Sequence, residues 1–273
     1  MEKRWSLTKK IFLFSVVLFL SNFGYSQADL MINPKRVVFD DVRDRVAVVE
    51  LFNRGKDTTT YNLSFVQVRM KEDGSFTNII EPDPGQNFAS PYLRYYPRRV
   101  VLAPNEIQTV KIQLVKTNEL RPGEYRSHLD FRGIPENFNE KNEDSEVDEG
   151  GFKLNLTPIY GIAIPVIIKV GESSTKVAVE NIELQENETL AFNLSRQGNM
   201  SVYGNIEVVF TSFGGGLETL VGRINGLAVY QPTKFREITL DLSGHEFQSG
   251  ELTVRYFTQD NKEILAENSL RID

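Results

Sequence analysis

The stretch GFKLNLTPIYGIAIPVIIKV, residues 151–170, decides how the rest of the chain is read. Its first half alternates: Phe152, Leu154 and Leu156 fall on one face, Lys153, Asn155 and Thr157 on the other. A period of two is that of a half-buried strand. From Ile159 to Ile168 the run is nearly all apolar and rich in β-branched residues, the pattern of a strand covered on both faces. A long hydrophobic strand is a hazard at a sheet edge, where free N–H and C=O groups recruit other chains. Two readings are open for Phe152, Leu154 and Leu156: they face this protein's own core, or they belong to an edge kept for a partner.

The segment before it, PENFNEKNEDSEVDEGG (135–151), is acidic and poor in apolar side chains. Such a sequence cannot bury enough surface to offset its chain entropy, so it is expected to be a solvated loop that leaves the next strand uncovered. Upstream the chain is a series of short alternating segments. RVVF (36–39), VAVVELFN (46–53), TYNLSFVQVRM (60–70), YLRYYPRRVVL (92–102), IQTVKIQLV (107–115) and YRSHLDFRGI (125–134) are separated by turn-forming residues. Pro97 marks the fourth as an edge strand or one that is broken. Downstream, GESST (171–175) reads as a linker. Further alternating segments run from Lys176 to the end, with Gly214-Gly215-Gly216 as a hairpin turn. The chain is therefore expected to be all-β, with two immunoglobulin-like sandwiches over residues 28–171 and 172–273.

Before them, Lys3, Arg4, Lys9 and Lys10 precede the apolar run Ile11–Leu20, and small residues follow at Gly24, Ser26 and Ala28. This is the layout of a secretory signal peptide over residues 1–27. The apolar run is short for a membrane span, so no membrane insertion of the mature chain is expected. A net charge of −6 offers no pull toward nucleic acid. The absence of cysteine excludes disulfides, thiolate metal sites and a cysteine nucleophile.

Chemistry finds no footing. The two histidines, His128 and His245, stand in different expected domains, and His128 reads as a structural residue on its strand. No nucleophile elbow, phosphate loop or metal-ligand spacing occurs. No catalytic residue, metal or cofactor is assigned.

Taken in order, four segments resemble the periplasmic pilus chaperones of the chaperone–usher pathway. They are Arg36 within RVVF, LAPNEIQTVKIQL (102–114), PGEYRSHLDFRGIP (122–135), and a loop followed by Phe152, Leu154 and Leu156. The resemblance covers about residues 30–170. It implies two immunoglobulin-like domains in an L shape and a non-enzymatic role in the periplasm. The protein would bind pilus or fimbrial subunits by lending its edge strand, with Phe152, Leu154 and Leu156 filling subunit pockets, and would deliver them to an outer-membrane usher. It also implies that Arg36 binds the subunit's terminal carboxylate beside a second basic residue. No basic residue stands near Tyr160-Gly161, so Arg36 would act with Tyr160 or a main-chain N–H, or Arg126 would substitute. Arg36 is otherwise a plain surface or interdomain ion pair, common for an arginine near a domain junction. The alternative function is a secreted two-domain adhesin or structural module that assembles through the same edge. A carbohydrate-binding accessory protein is less suited, because the chain's one Trp, Trp5, lies in the signal segment.

Overall fold

Alternation of apolar and polar side chains at every second residue builds nearly every element of this molecule. The computed structural model describes residues 30–134 and 160–273, apart from 187, 246 and 261. The signal segment, the acidic loop and Phe152, Leu154 and Leu156 lie outside the described residues. The first part contains β1 (Leu30–Asn33), β2 (Val37–Phe39), β3 (Val46–Asn53), β4 (Thr59–Val66), β5 (Val68–Met70), β6 (Phe76–Asn78), β7 (Leu93–Tyr96), β8 (Arg99–Leu102), β9 (Ile107–Leu114), β10 (Gly123–Ile134) and β11 (Gly161–Val170). One sheet has the order β1-β3-β9-β7, the other β2-β11-β10-β4-β8. Their inner faces close on a core that includes Leu51, Ile112, Leu129, Phe131, Ile164 and Ile168, as the two faces of a sandwich do.

The Pro97 segment is both broken and at an edge. β7 ends one sheet and β8 ends the other, so Pro97 lies where the chain passes between them. A residue without an N–H loses no ladder bond at such a crossing. The first strand was only half legible. RVVF is preceded by β1, whose Leu30 and Ile32 enter the core and which pairs with β3 in the opposite sheet. Four alternating residues before Asn33-Pro34 are too short a pattern to read alone.

β11 departs from the expected cover on both faces. Its neighbours are β10, antiparallel from Gly161↔Arg132 to Val170↔Gly123, and β2, parallel over Val166–Ile168 only. Val166, Ile167 and Ile168 are wholly buried, whereas Gly161, Ile162 and Ala163 are exposed. The difference comes from tertiary contact: Ile167 is sealed on the outer face by Met70, Ala228 and Tyr230, and among the described residues no such cover reaches the start of the strand.

The second part contains β12 (Lys176–Leu184), β13 (Thr189–Gln197), β14 (Val202–Ser212), β15 (Thr219–Val229), β16 (Phe235–Asp241), β17 (Gly250–Thr258) and β18 (Ile264–Ile272). Sheets β12-β13-β16 and β15-β14-β17-β18 enclose a separate core around Phe192, Leu194, Ile206, Val208, Val254 and Tyr256. The glycine run 214–216 connects the antiparallel pair β14 and β15, with positive φ at Gly215 and Gly216. The two sandwiches meet where the β5–β6 hairpin reaches over the second. Thr233 Oγ1 donates to the Met70 carbonyl at 2.6 Å, and the Glu237 amide to the Glu72 carbonyl at 2.8 Å. Gly74, at φ +81°, lies against the Arg236 guanidinium, which an added side chain would have to displace.

Candidate functional site

In an antiparallel pair, residues alternate between those that bond across the ladder and those whose main chain points away from it. The Gly133 amide donates to the Tyr160 carbonyl at 2.9 Å, which sets the phase. Tyr160, Ile162 and Ile164 therefore bond toward β10. Gly161, Ala163 and Pro165 turn their main-chain groups to the other edge. β2 fills that edge only from Val166 onward, and no other strand among the described residues lies beside Gly161–Pro165. Pro165 carries no N–H, so the open edge offers the N–H and C=O of Gly161 and Ala163 and the C=O of Pro165. Ile162 is 42% exposed and Tyr160 51% exposed at its start. The edge is chemically competent to accept another strand.

Arg36 marks where the open edge ends. Val37 is in register with Val166, which puts Arg36 level with Pro165 at the head of β2. Its Nη1 donates to the Tyr230 hydroxyl at 2.8 Å, and its guanidinium stacks 4.5 Å from the Tyr203 ring centroid and 5.4 Å from that of Tyr230. Tyr160 stands five residues before Pro165 along β11, roughly 17 Å at the rise of a strand. The fold therefore does not bring Tyr160 to Arg36. Arg126 does approach the same phenol, at 4.5 Å from the Tyr230 centroid. It is 3% exposed, and its Nη2 donates to the carbonyls of Val68 and Gln231, one from each sandwich.

Several buried polar groups at this junction bond to one another. Glu124 accepts the Ser201 amide at 2.8 Å and the Ser201 hydroxyl, whose oxygen in turn accepts the Gln231 amide at 3.1 Å. Burial is the largest influence on Arg126, lowering its pKa from the usual guanidinium range. His128, two residues on, is 5% exposed and is pushed down to about 3, first by burial and then by the charges of Arg126 and Arg36. Its Nδ1 lies 3.5 Å from Arg126 Nη1. A guanidinium can only donate, so that nitrogen accepts and the ring is neutral. His128 is thus the structural residue the sequence suggests.

The chain is similar to solved pilus chaperones. A chain from the chaperone–tip adhesin complex of CFA/I fimbriae biogenesis is 11% identical, with a TM-score of 0.45 over 89% of this chain and 98% of that one. A chaperone of Pseudomonas aeruginosa is 12% identical, TM-score 0.44, over 88% and 98%. A chain of the chaperone–tip adhesion subunit pre-assembly complex of the archaic chaperone–usher Csu pili of Acinetobacter baumannii is 10% identical, TM-score 0.44, over 90% and 98%. No family model matches the chain, and no curated protein matches it in sequence.

Sequence reasoning missed Tyr203, Tyr230, Glu124 and Ser201. The tyrosines sit near strand ends of the second sandwich, and no spacing in the sequence links them to Arg36, 194 residues before Tyr230. Among the described residues, no group of three His, Asp or Glu is placed to hold a metal ion.

Proposed function

We propose that this protein is a non-enzymatic periplasmic chaperone that captures exported pilus or fimbrial subunits by lending them its edge strand. The observation that carries the reading is the open margin of β11 over Gly161–Pro165, paired with β10 on one side and, among the described residues, without a strand on the other. An incoming strand can bond to Gly161, Ala163 and Pro165, each such bond contributing about 0.5–1.5 kcal/mol net.

Specificity comes from Phe152, Leu154 and Leu156. They share the even parity of Ile162, Ile164 and Val166, the side of β11 that turns toward the sandwich interior. On a continued strand they would enter the client's own unfilled groove, at about 1.5–3 kcal/mol for each side chain buried.

Direction follows from β2. That strand already runs parallel to β11 on the same edge, beginning at Val37. A client strand running parallel in front of it would end with its terminal carboxylate facing Arg36. Arg36 is thus the anchor in this proposal. Arg126, with donors committed to Val68 and Gln231, holds the junction. Residues 28–171 form the lending unit and 172–273 its companion, the signal segment 1–27 directs export, and an outer-membrane usher receives the loaded chaperone.

The test is co-expression with exported fibre subunits from the same genome. A subunit recovered folded in a 1:1 complex with the intact chain, and lost with the Leu154→Asp/Leu156→Asp variant, supports the reading. A subunit retained equally by both would overturn it.

A further inference from the structure

Arg132 stands opposite Gly161, where the β10–β11 ladder begins and the open margin with it. Its neighbour Phe131 enters the core, so Arg132 projects from the outer face of the sheet. Gly161 and Ala163 belong to that face too, since Ile164 points inward and Ile167 is sealed from outside.

The guanidinium is held toward the margin by a buried acid. Arg132 Nε lies 3.4 Å from Asp130 Oδ2. Asp130 leans across to β11, its Oδ1 only 3.1 Å from where a Cβ at position 161 would stand. It is 6% exposed, and a carboxylate so buried keeps its counter-ion. Gly161 and Ala163 raise no long side chain between this pair and the open edge. The Arg132 side chain is nevertheless 64% exposed. Only Nε faces Asp130, and among the described residues the four N–H groups of Nη1 and Nη2 have no acceptor.

We propose that Arg132 selects an acidic side chain on the incoming strand, at the position beside Gly161. This inference rests on the strand-lending reading and adds to it a charge preference within the client strand.

Geometry and charge both favour it. A strand on the open margin lies two inter-strand spacings from β10, roughly 10 Å, a gap that an arginine and a glutamate bridge from its two sides. Nη1 and Nη2 present a planar fork that matches a carboxylate, while Asp130 keeps Nε and fixes the fork's direction. A lysine at the same place on the client would face this cation and be rejected. Arg36 is level with Pro165, four residues along β11 and roughly 13 Å away, so the two arginines read different points of the client.

Three fluorescein-labelled peptides of alternating threonine and valine, identical except for Glu, Gln or Lys in place of the central threonine, probe the site by fluorescence anisotropy. The intact chain should bind the Glu peptide about threefold to tenfold more tightly than the Gln peptide, and the Lys peptide more weakly than either. Arg132→Gln should level the three affinities, hold that for the Gln peptide within about twofold, and keep the melting temperature within a few degrees, as for an exposed side chain. Arg132→Glu should invert the order, a reversal that a merely structural arginine would not produce. Equal affinities in the intact chain, or a Glu preference that survives both substitutions, would overturn the role of Arg132 and leave strand lending standing. Failure of the intact chain to bind any of the three would instead overturn strand lending, and this inference with it.

Discussion

The Tyr160 carbonyl accepts the Gly133 amide at 2.9 Å, and that bond fixes which residues of β11 face outward. Because main-chain direction alternates along a strand, the groups left for a partner belong to Gly161, Ala163 and Pro165, while Ile162 and Ile164 are spent on β10. The strand thus separates two tasks: even positions hold it in its own sheet, and odd positions offer its margin.

This separation can be tested with one substitution. Ala163→Pro removes an outward N–H without touching a bond to β10, and a proline already stands two residues on at Pro165. Client affinity should fall about tenfold with a stability change below about 1 kcal/mol, read by pull-down and by urea unfolding. A loss of several kcal/mol in stability would mean that Ala163 bonds inward.

Leu154→Asp with Leu156→Asp should abolish client capture and leave unfolding free energy within about 0.5 kcal/mol of the parent, as for surface substitutions. Collapse of the fold, seen by circular dichroism, would place both leucines in this protein's own core.

Arg126→Met keeps the length of the stem but strips donors from the Val68 and Gln231 carbonyls, in a place where water does not replace them. A loss of about 2–4 kcal/mol is expected in chemical denaturation. Arg36→Ala, half-buried and tied to the second sandwich by one hydrogen bond and its stack on Tyr203, should cost less stability than Arg126→Met yet weaken capture of clients with a free carboxyl terminus. Equal affinity for clients with and without that carboxylate in the parent protein would remove the anchor.

His128 gives the fold a pH dependence of defined sign. Its folded pKa, about 3, lies below the ordinary imidazole value of 6.5, so the unfolded chain binds a proton that the native state refuses. The stability it contributes is present above pH 6.5 and is lost as pH falls from there toward 3, at up to about 1.4 kcal/mol per pH unit. His128→Phe should flatten that part of the profile in urea unfolding at stepped pH. An unchanged slope would assign it to other groups.

Much of the strand pattern was legible because alternation is local: VAVVELFN is β3 as written, and the breaks at Asn53 and Pro97 fall where turn chemistry puts them. β1 escaped because four residues carry too little periodicity. The exposed start of β11 was misread because an apolar run looks the same whether or not something covers it. Arg36 was singled out by resemblance to a family, and nothing local to it shows that Tyr203 and Tyr230 would arrive from the other sandwich.

The order of short amphipathic segments by itself determined an all-β chain with an apolar strand that ends at Val170, since side-chain period is a property of neighbours in sequence. Which edge of that strand stays open, and which phenol meets Arg36, only the tertiary structure decided. Both depend on where β2 begins and on how the two sandwiches dock, contacts between residues far apart in the chain whose pairing no local pattern encodes.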